Sequence, residues 1–213
     1  MAGKSGTPRR SASGRSLETY RGKRRAGRTP EPMGGASPKG GRRRFVIQKH
    51  SATSLHYDFR LEAGGVLKSW AVPKGPSTDP RDKRLAMRTE DHPVDYLDFE
   101  GVIPPGEYGA GEVIVWDTGT YRNLAEDEGR KVPVAKGVGE GHVKVWLEGE
   151  KLRGGYAMTR TGQDGERERW IMIKLSDEGA DARRNPVSTE PASVRSGRTL
   201  DELTEDDGHG KRT

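Results

Sequence analysis

Cysteine is absent from the 213-residue sequence, and so are long apolar runs. The first absence excludes disulfides, thiolate nucleophiles and cysteine metal ligands, and it is compatible with a reducing cytoplasm. No apolar run approaches the ~20 residues that a membrane-spanning helix needs. The charged N-terminus also has no apolar stretch of the kind found in secretory signals, so we expect no signal peptide. The sequence therefore predicts a cytoplasmic chain without a membrane anchor.

Hydrophobic residues are scarce as well: they make up 30% of the sequence, whereas charged residues make up 33%. So little apolar material predicts one compact domain with solvated arms rather than a chain that is folded throughout. The formal net charge is +6 and the isoelectric point is about 9.5. A basic balance favours a polyanionic partner, nucleic acid first. A soluble protein with basic tails would have the same net charge.

Composition divides the chain into three segments. Residues 1–42 are rich in Gly, Ser, Pro, Arg and Lys. We expect a basic, largely disordered arm there, with a short helix over 17–28 as its one candidate for order, because it has almost no apolar surface to bury. Residues 178–213 are again polar and charged, which predicts a disordered tail with at most a turn at 199–203. The folded domain is predicted to span residues 43–177.

Between the arms, short strand patterns alternate with turn signals. Gly-rich and Pro-rich clusters separate segments in which apolar and polar residues alternate. About eight short strands without a long helical pattern are typical of a β-barrel or a β-sandwich. We expect a mainly β fold, a small closed or nearly closed barrel, with a polar connection at 124–136 that holds at most one helical turn. The predicted strands are 43–48, 55–62, 66–72, 85–89, 112–117, 142–147, 155–160 and 169–174.

The stretch 45–62 holds the candidate metal ligands. Read as a strand, residues 55–62 place apolar side chains on one face and His56, Asp58 and Arg60 on the other. His50 lies upstream, after an apolar run, and a short turn would fold it back towards the strand. Two imidazoles and a carboxylate suit Mn²⁺, Zn²⁺ or Fe²⁺, with positions left open for water and substrate. The alternative is an exposed polar strand face on which His56 is merely hydrogen-bonded.

Several further polar residues could face a phosphate group. Arg60 offers a planar guanidinium on the same strand face as Asp58. His92 lies in a loop between acidic residues and a proline, where it could donate a proton, orient a hydrogen bond or do neither. Lys74 lies in a turn, where a solvated side chain is an equally good explanation. Arg84 opens a strand, where a basic residue could equally protect a sheet edge.

Two common catalytic patterns are absent. The glycine-rich segment 103–111 lacks the Lys-Ser/Thr pair of a phosphate-binding P-loop and does not open a helix, so we interpret it as a turn. The sequence also has no G-x-S-x-G nucleophile elbow. The tryptophans all lie on predicted strands, where core packing is the simplest explanation: Trp70, Trp116, Trp146 and Trp170.

The chain also contains several long motifs in a fixed order. They are TPEP at 29–32, FVIQKHSATSLHYDFRLE at 45–62, SWAVPKGPS at 69–77, KRLAMRTEDHPVDYLDFEG at 83–101, IPPGEYGAGEVIVWDTG at 103–119 and WIMIK at 170–174. A run of long motifs is far more specific than one short pattern. Together they make the chain similar to the 3′-phosphoesterase module of bacterial DNA ligase D over roughly residues 17–177.

This resemblance implies a Mn²⁺-dependent enzyme and suggests roles for individual residues. In the family, the matching positions bind the metal ion: His50, His56 and Asp58. Other matching positions bind the scissile phosphate or belong to the substrate-binding set: Arg60, His92, Lys74 and Arg84. A third group is needed for activity or implicated in it: Tyr96, Glu90 and Glu31. Zn²⁺ or another divalent transition-metal ion would suit the same ligands.

The resemblance also implies 3′-end processing in DNA repair, during the joining of double-strand breaks. The family removes a terminal ribonucleoside to leave a 3′-phosphate, and then hydrolyses the 3′-phosphate to a 3′-hydroxyl. The expected partners are the 3′ ends of DNA or RNA/DNA primer-templates, and a separate ligase or end-joining protein, because 213 residues leave no room for a ligase domain. We expect a monomer associated with the nucleoid.

Two other functions are compatible with the residues. A non-catalytic nucleic-acid-binding barrel could recruit a ligase through its arms, and it would bind DNA without turnover. A metal-dependent hydrolase of small phosphomonoesters would need no basic arms. An intact set of metal and phosphate ligands would distinguish the enzyme from a pure binding module.

Overall fold

The computed structural model describes residues 16–34, 43–165 and 167–203. The strands in these ranges are β1 (Arg44–Ser51), β2 (Leu55–Ala63), β3 (Val66–Val72), β4 (Arg84–Arg88), β5 (Gly101–Ile103), β6 (Gly111–Asn123), β7 (Glu126–Asp127), β8 (Arg130–Lys131), β9 (His142–Gly149), β10 (Arg153–Asp164) and β11 (Arg167–Lys174). The helices are α1 (Glu18–Gly22), a 3₁₀ helix (Val94–Asp98), α2 (Val134–Glu140) and α3 (Pro186–Thr189). None of these described helices is long and apolar enough to cross a membrane.

Eight of the strands close into an antiparallel barrel. Neighbouring strands follow the order β1, β2, β3, β4, β11, β10, β9 and β6, and β6 pairs with β1 to complete the ring. These are the eight strands predicted from the alternation pattern, with ends that differ by a few residues, so the predicted mainly β fold and closed barrel are confirmed. Strand β5 adds to β6, and β7 and β8 form a separate hairpin.

Two apolar clusters enclose the polar residues of β1 and β2. The larger cluster fills the barrel and includes the fully buried side chains of Trp70, Trp116 and Trp170. A second cluster lies on the other side of β1 and joins Tyr20 of α1 to Leu97 of the 3₁₀ helix. Polar side chains between these clusters are therefore buried even though the strand pattern alone would place them in solvent. The predicted core position is wrong for Trp146, which is only half-buried and packs against Arg122.

The segment 124–136 is more ordered than the predicted polar connection. It forms the β7–β8 hairpin and the beginning of α2, which continues to Glu140. The helix ends at Gly141 with a φ of +87°, a conformation that glycine adopts without a steric penalty. The single expected helical turn is thus a helix of seven residues.

The N-terminal helix lies where the sequence placed its candidate. Helix α1 falls inside the predicted stretch 17–28, and Leu17 and Tyr20 are buried against the second cluster. These two apolar side chains pack the short segment onto the barrel. Residues 1–15 and 35–42, the remainder of the predicted basic arm, lie outside the described residues.

The C-terminal segment differs from the predicted disordered tail over residues 178–203. Leu200 and Leu203 are buried against Ile114 of β6. Lys151 donates a hydrogen bond to the carbonyl oxygen of Glu190 at 2.8 Å. The polar composition of the segment did not predict these contacts, because they are made by backbone groups and by a few apolar side chains. The predicted tail beyond residue 203 lies outside the described residues.

Candidate metal and phosphate site

The three predicted metal ligands meet where β1 turns into β2. His50 is the cross-strand partner of His56, so the hairpin itself brings the two imidazoles together, with ring centroids 4.7 Å apart. Asp58 lies two residues beyond His56, and its Oδ2 is 3.5 Å from His50 Nδ1 and 3.7 Å from His56 Nε2. One ligand atom from each residue lies within 4.8 Å of the others. All three can therefore reach a single ion.

Backbone carbonyls fix the orientation of both imidazoles. His50 Nε2 lies 2.8 Å from the carbonyl oxygen of Gly109, and His56 Nδ1 lies 2.9 Å from that of Ser54. Because a carbonyl oxygen only accepts hydrogen bonds, these two nitrogens carry the ring protons. The other two nitrogens face Asp58 and keep the lone pairs that a metal ion requires.

The Asp58 carboxylate is held in its charged form. Burial alone would raise its pKa, but the Arg60 guanidinium and, when they are protonated, the two imidazoles outweigh burial and lower the pKa well below its usual range. Asp58 is therefore ionised at neutral pH, which is the form that binds a cation.

Arg60 lies beside the metal ligands with one edge of its guanidinium unpaired. Its Nη2 donates to Asp58 Oδ2 at 3.0 Å, and its Nε donates to Gln48 Oε1 at 2.8 Å. Gln48 is fixed in turn by the carbonyl oxygens of Tyr96 and Phe99. Nη1 is buried and has no hydrogen-bond partner among the described residues. Because an unpaired buried donor is costly, the geometry leaves this atom for an acceptor that the chain does not supply.

His92 comes from the loop before the 3₁₀ helix and is buried between Tyr20 and Tyr96. The ring centroids are 4.9 and 5.0 Å away. Its Nδ1 donates to the carbonyl oxygen of Glu90 at 2.9 Å, so Nε2 keeps the lone pair and lies 3.5 Å from Arg24 Nη2. Burial lowers the pKa of His92 well below its usual value, and two nearby arginines lower it further. The ring is therefore neutral at neutral pH.

Arg24, which the sequence did not single out, connects the two remaining acidic candidates. Its Nε donates to Glu31 Oε1 at 2.8 Å, and its Nη1 donates to Glu90 Oε1 at 3.2 Å. Glu31 also accepts a hydrogen bond from the Tyr96 hydroxyl at 2.9 Å. The guanidinium lies over the Tyr20 ring, 3.8 Å from its centroid. These contacts place both glutamates where they hold Arg24 in the site.

The groups described above line one pocket with a volume of about 370 Å³. The predicted site residues in its wall are His50, His56, Asp58, Arg60, Glu90, His92 and Tyr96. Glu31 lies behind this wall, in contact with Tyr96 and Arg24. The structure thus brings together the metal candidates and the two principal phosphate candidates.

Two predicted substrate residues lie elsewhere. Lys74 is exposed and follows Pro73, which lines the pocket, but Lys74 itself is not in the wall. Arg84 is half-buried at the start of β4 and donates to Asp82 Oδ2 at 2.7 Å. Neither side chain is among the residues that line the metal pocket.

Sequence reasoning missed Arg24 and Gln48. Arg24 is one of several basic residues in the arm, and no local pattern distinguishes it from its neighbours. A signal for Gln48 was present, because it lies two residues before His50 on β1 and side chains at that spacing share a strand face. The alternation that grouped His56, Asp58 and Arg60 would have added it.

Comparison with known proteins gives a family match. A family model for the DNA ligase D 3′-phosphoesterase domain matches residues 48–160, just over half of the chain. The chain is 48% identical over 192 residues to the multifunctional non-homologous end joining protein LigD of Pseudomonas aeruginosa, a match that covers 88% of this chain and 22% of that protein.

Two further relatives match a somewhat smaller part of the chain. The chain is 45% identical over 166 residues to the LigD protein of Mycolicibacterium smegmatis, covering 76% of this chain and 21% of the relative. It is 47% identical over 163 residues to the multifunctional non-homologous end joining DNA repair protein LigD of Mycobacterium tuberculosis, covering 76% and 20%. The chain thus spans about one fifth of the length of these relatives. On the family match and these identities, the chain belongs to the DNA ligase D 3′-phosphoesterase domain family.

Proposed function

We propose that the chain is a metal-dependent phosphoesterase that processes the 3′ ends of DNA or RNA/DNA primer strands during the joining of double-strand breaks. The observation that carries the proposal is Arg60 Nη1, a buried donor without a partner in the described chain, beside three convergent metal ligands. Phosphoryl transfer needs a cation and fixed hydrogen-bond donors at the phosphate oxygens. A pure binding module has no use for this combination. The end-joining context comes from the LigD relatives.

The donor atoms suit a divalent transition-metal ion. His50 Nδ1, His56 Nε2 and an Asp58 oxygen form a mixed nitrogen and oxygen set that suits Mn²⁺, Zn²⁺ or Fe²⁺. We propose Mn²⁺, which the family resemblance implies, with Zn²⁺ as the main alternative. When bound, the ion would neutralise charge on a phosphate oxygen and lower the pKa of a bound water. Three protein ligands leave room for both.

Arg60 would bind a phosphate oxygen through Nη1. Its other two donor positions stay occupied by Asp58 and Gln48, so the planar fork is already oriented before substrate arrives. Preorganised donors stabilise the transition state more strongly, because the donors do not have to reorient during the reaction. Arg60 is thus the residue that aligns the phosphate with the metal ligands.

His92 would supply a second contact to the same phosphate. In the neutral ring Nε2 only accepts, so His92 must take up a proton before it can donate to an oxygen. A phosphate dianion favours this, because an opposite charge nearby raises the pKa of an imidazole. The protonated ring would then either stabilise charge on an equatorial oxygen or protonate the leaving oxygen.

One site would serve two successive hydrolyses. The first cleaves a phosphodiester, releases a terminal ribonucleoside and leaves a 3′-phosphate on the strand. The second hydrolyses that 3′-phosphate to a 3′-hydroxyl, which a ligase could then join. Both are phosphoryl transfers to water, so the same metal and phosphate ligands apply. Lys74 and Arg84 would contact the nucleic acid outside the metal pocket.

The test uses primer-templates that end in one ribonucleotide or in a 3′-phosphate, with Mn²⁺ added. Wild-type protein should release the ribonucleoside and inorganic phosphate. Asp58→Ala should abolish both and weaken Mn²⁺ binding in a calorimetric titration. The matched control is Asp127→Ala, which alters an exposed aspartate of the β7–β8 hairpin.

Two outcomes would overturn the proposal. DNA binding by the wild type without turnover would instead support the non-catalytic binding barrel. Full activity of Asp58→Ala after chelation and resupply of Mn²⁺ would remove the carboxylate from the site.

A further inference from the structure

A second groove adjoins the metal pocket. It has a volume of about 690 Å³, and it shares four wall residues with the metal pocket: Thr89, Glu90, Tyr108 and Arg167. A molecule whose phosphate lies at the metal ligands can therefore extend into this groove without leaving the protein surface.

Tyr108 stands at the junction of the two cavities with much of its ring in solvent. It is 41% exposed and is one of three large hydrophobic side chains that are exposed within the described ranges. Its hydroxyl accepts a hydrogen bond from Lys23 Nζ, which also lies 4.6 Å from the ring centroid. The next residue, Gly109, provides the carbonyl oxygen that orients His50. The Tyr108 ring is thus exposed, and it is positioned beside the site by its contact with Lys23 and by its neighbour Gly109.

Thr89 gives an independent indication of a ligand at the junction. Its hydroxyl oxygen is buried and has no hydrogen-bond partner in the part of the chain that the structure describes. Thr89 lies in the wall of both cavities. A buried hydroxyl is costly unless it is paired, so a polar group of a bound molecule would satisfy it.

Among the side chains that the structure describes, the acidic groups of the groove are paired with basic ones. Glu90 pairs with Lys23 and Arg24, Asp91 with Lys68 and Arg88, and Glu168 with Arg160. Arg167 is exposed, it lies in the wall of both cavities, and no ion pair joins it to another side chain of that described set. An anion that enters the groove can therefore reach its guanidinium.

We propose that Tyr108 is a stacking platform for the nucleobase of the nucleotide that bears the scissile 3′-phosphate, and that Arg167 binds the next phosphate of the strand. The inference rests on the proposed function and adds to it how the protein holds the strand end beside the candidate metal site. An exposed aromatic ring accepts any base, because every base has a π face. The subsite should therefore hold the 3′ end with little sequence preference.

The test pairs variants with substrates that have or lack the terminal base. Tyr108→Ala should raise KM roughly 5- to 150-fold on a primer-template with a 3′-phosphorylated ordinary nucleotide, the range expected for one base–aromatic stack. On the same primer with an abasic 3′-phosphorylated end, Tyr108→Ala should have little further effect, because one partner of the stack is already missing. Tyr108→Phe should recover most of the affinity, and Tyr108→Leu should not.

Controls separate stacking from damage to the site. Trp146→Ala is the matched control, since Trp146 is another surface aromatic under an arginine but lines neither cavity. Mn²⁺ titration of Tyr108→Ala should resemble the wild type if the loop that orients His50 is intact. Arg167→Gln should reduce the slope of log binding constant against log salt by about one phosphate contact.

Each outcome decides the inference. It is overturned if Tyr108→Ala matches the wild type on the ordinary end, or if it is equally impaired on the abasic end. Should the wild type hydrolyse neither end, the proposed function fails, and binding still tests the subsite. A primer with 2-aminopurine as its terminal base should then be quenched by the wild type and less by Tyr108→Ala, and absence of quenching in the wild type would overturn the stacking role.

Discussion

Replacing Arg24 by Met should destabilise the protein, because two buried carboxylates would lose the cation that pairs with them. The Arg24 side chain is 5% exposed, and it pairs with Glu31, whose side chain is fully buried, and with Glu90. Methionine keeps part of the aliphatic packing against the Tyr20 ring but removes the charge. Glu31 and Glu90 would then remain in a buried site with fewer donors.

The size of the loss follows from the donors that remain. Removing one partner of a buried ion pair costs about 3–5 kcal/mol. Glu31 would still accept hydrogen bonds from the hydroxyls of Tyr96 and Thr29, and Glu90 would still pair with Lys23. We therefore expect a loss at or just below the lower end of that range, about 2–3 kcal/mol. Adding Glu31→Gln removes one uncompensated charge, so the double variant should be more stable than the sum of the single losses by about 1–2 kcal/mol.

Urea unfolding followed by tryptophan fluorescence would measure the four members of this cycle. Arg122→Met is the matched control, because that arginine also lies over an aromatic ring but is 64% exposed. Trypsin cleavage within residues 21–28 would report whether α1 detaches before the barrel unfolds. The reasoning is refuted if Arg24→Met lies within about 0.5 kcal/mol of the wild type, or if the two substitutions are additive.

Three further predictions concern other parts of the molecule. Arg60→Lys keeps the charge but loses the planar fork, so 3′-phosphate release should fall about 10²–10³-fold with Mn²⁺ affinity little changed, and near-normal turnover would contradict this. Without metal, the free energy of unfolding should decrease as the pH falls from about 6.5 to 5, by at most about 1.4 kcal/mol per pH unit, because His92 takes up a proton only when it unfolds. In urea titrations His92→Gln should lack that slope, and an unchanged slope would assign it to other groups. Ending the chain at residue 179 should lower Tm by roughly 5–10 °C, because the truncation uncovers Ile114 and removes the carbonyl oxygens that bind Lys151. A melting curve followed by circular dichroism measures this change, and an unchanged Tm would show that these contacts are dispensable.

The barrel strands and the cluster of candidate metal ligands were accessible from the sequence because both depend on local alternation. The period of two along residues 55–62 decides which side chains share a face, and a hairpin turn is enough to pair His50 with His56. The family motifs then favoured a Mn²⁺ site over the alternative, an exposed polar strand face that binds no metal. The position of the ligands therefore needed no knowledge of the rest of the chain.

The contacts of Arg24 and of residues 178–203 were not accessible in the same way. Arg24 meets Glu90 across 66 positions of sequence, and Lys151 meets Glu190 across 39. Such pairs leave no periodic signal, and the polar composition of both segments favours solvent when each is considered alone. The burial of Arg60 had the same cause, since its guanidinium lies over the ring of Tyr96 from the 3₁₀ helix, 4.9 Å from the centroid.

The carbonyl oxygens that orient His50 and His56 have a consequence for mutational tolerance. Any residue at position 54 retains its carbonyl, and the Ser54 side chain is exposed, so random substitutions there should preserve the tautomer of His56. Position 109 is constrained by conformation, because Gly109 has a φ of +79°, where other residues are strained. A library that randomises both positions should therefore accept most sequences at 54 and mainly glycine at 109, although neither position supplies a candidate metal ligand.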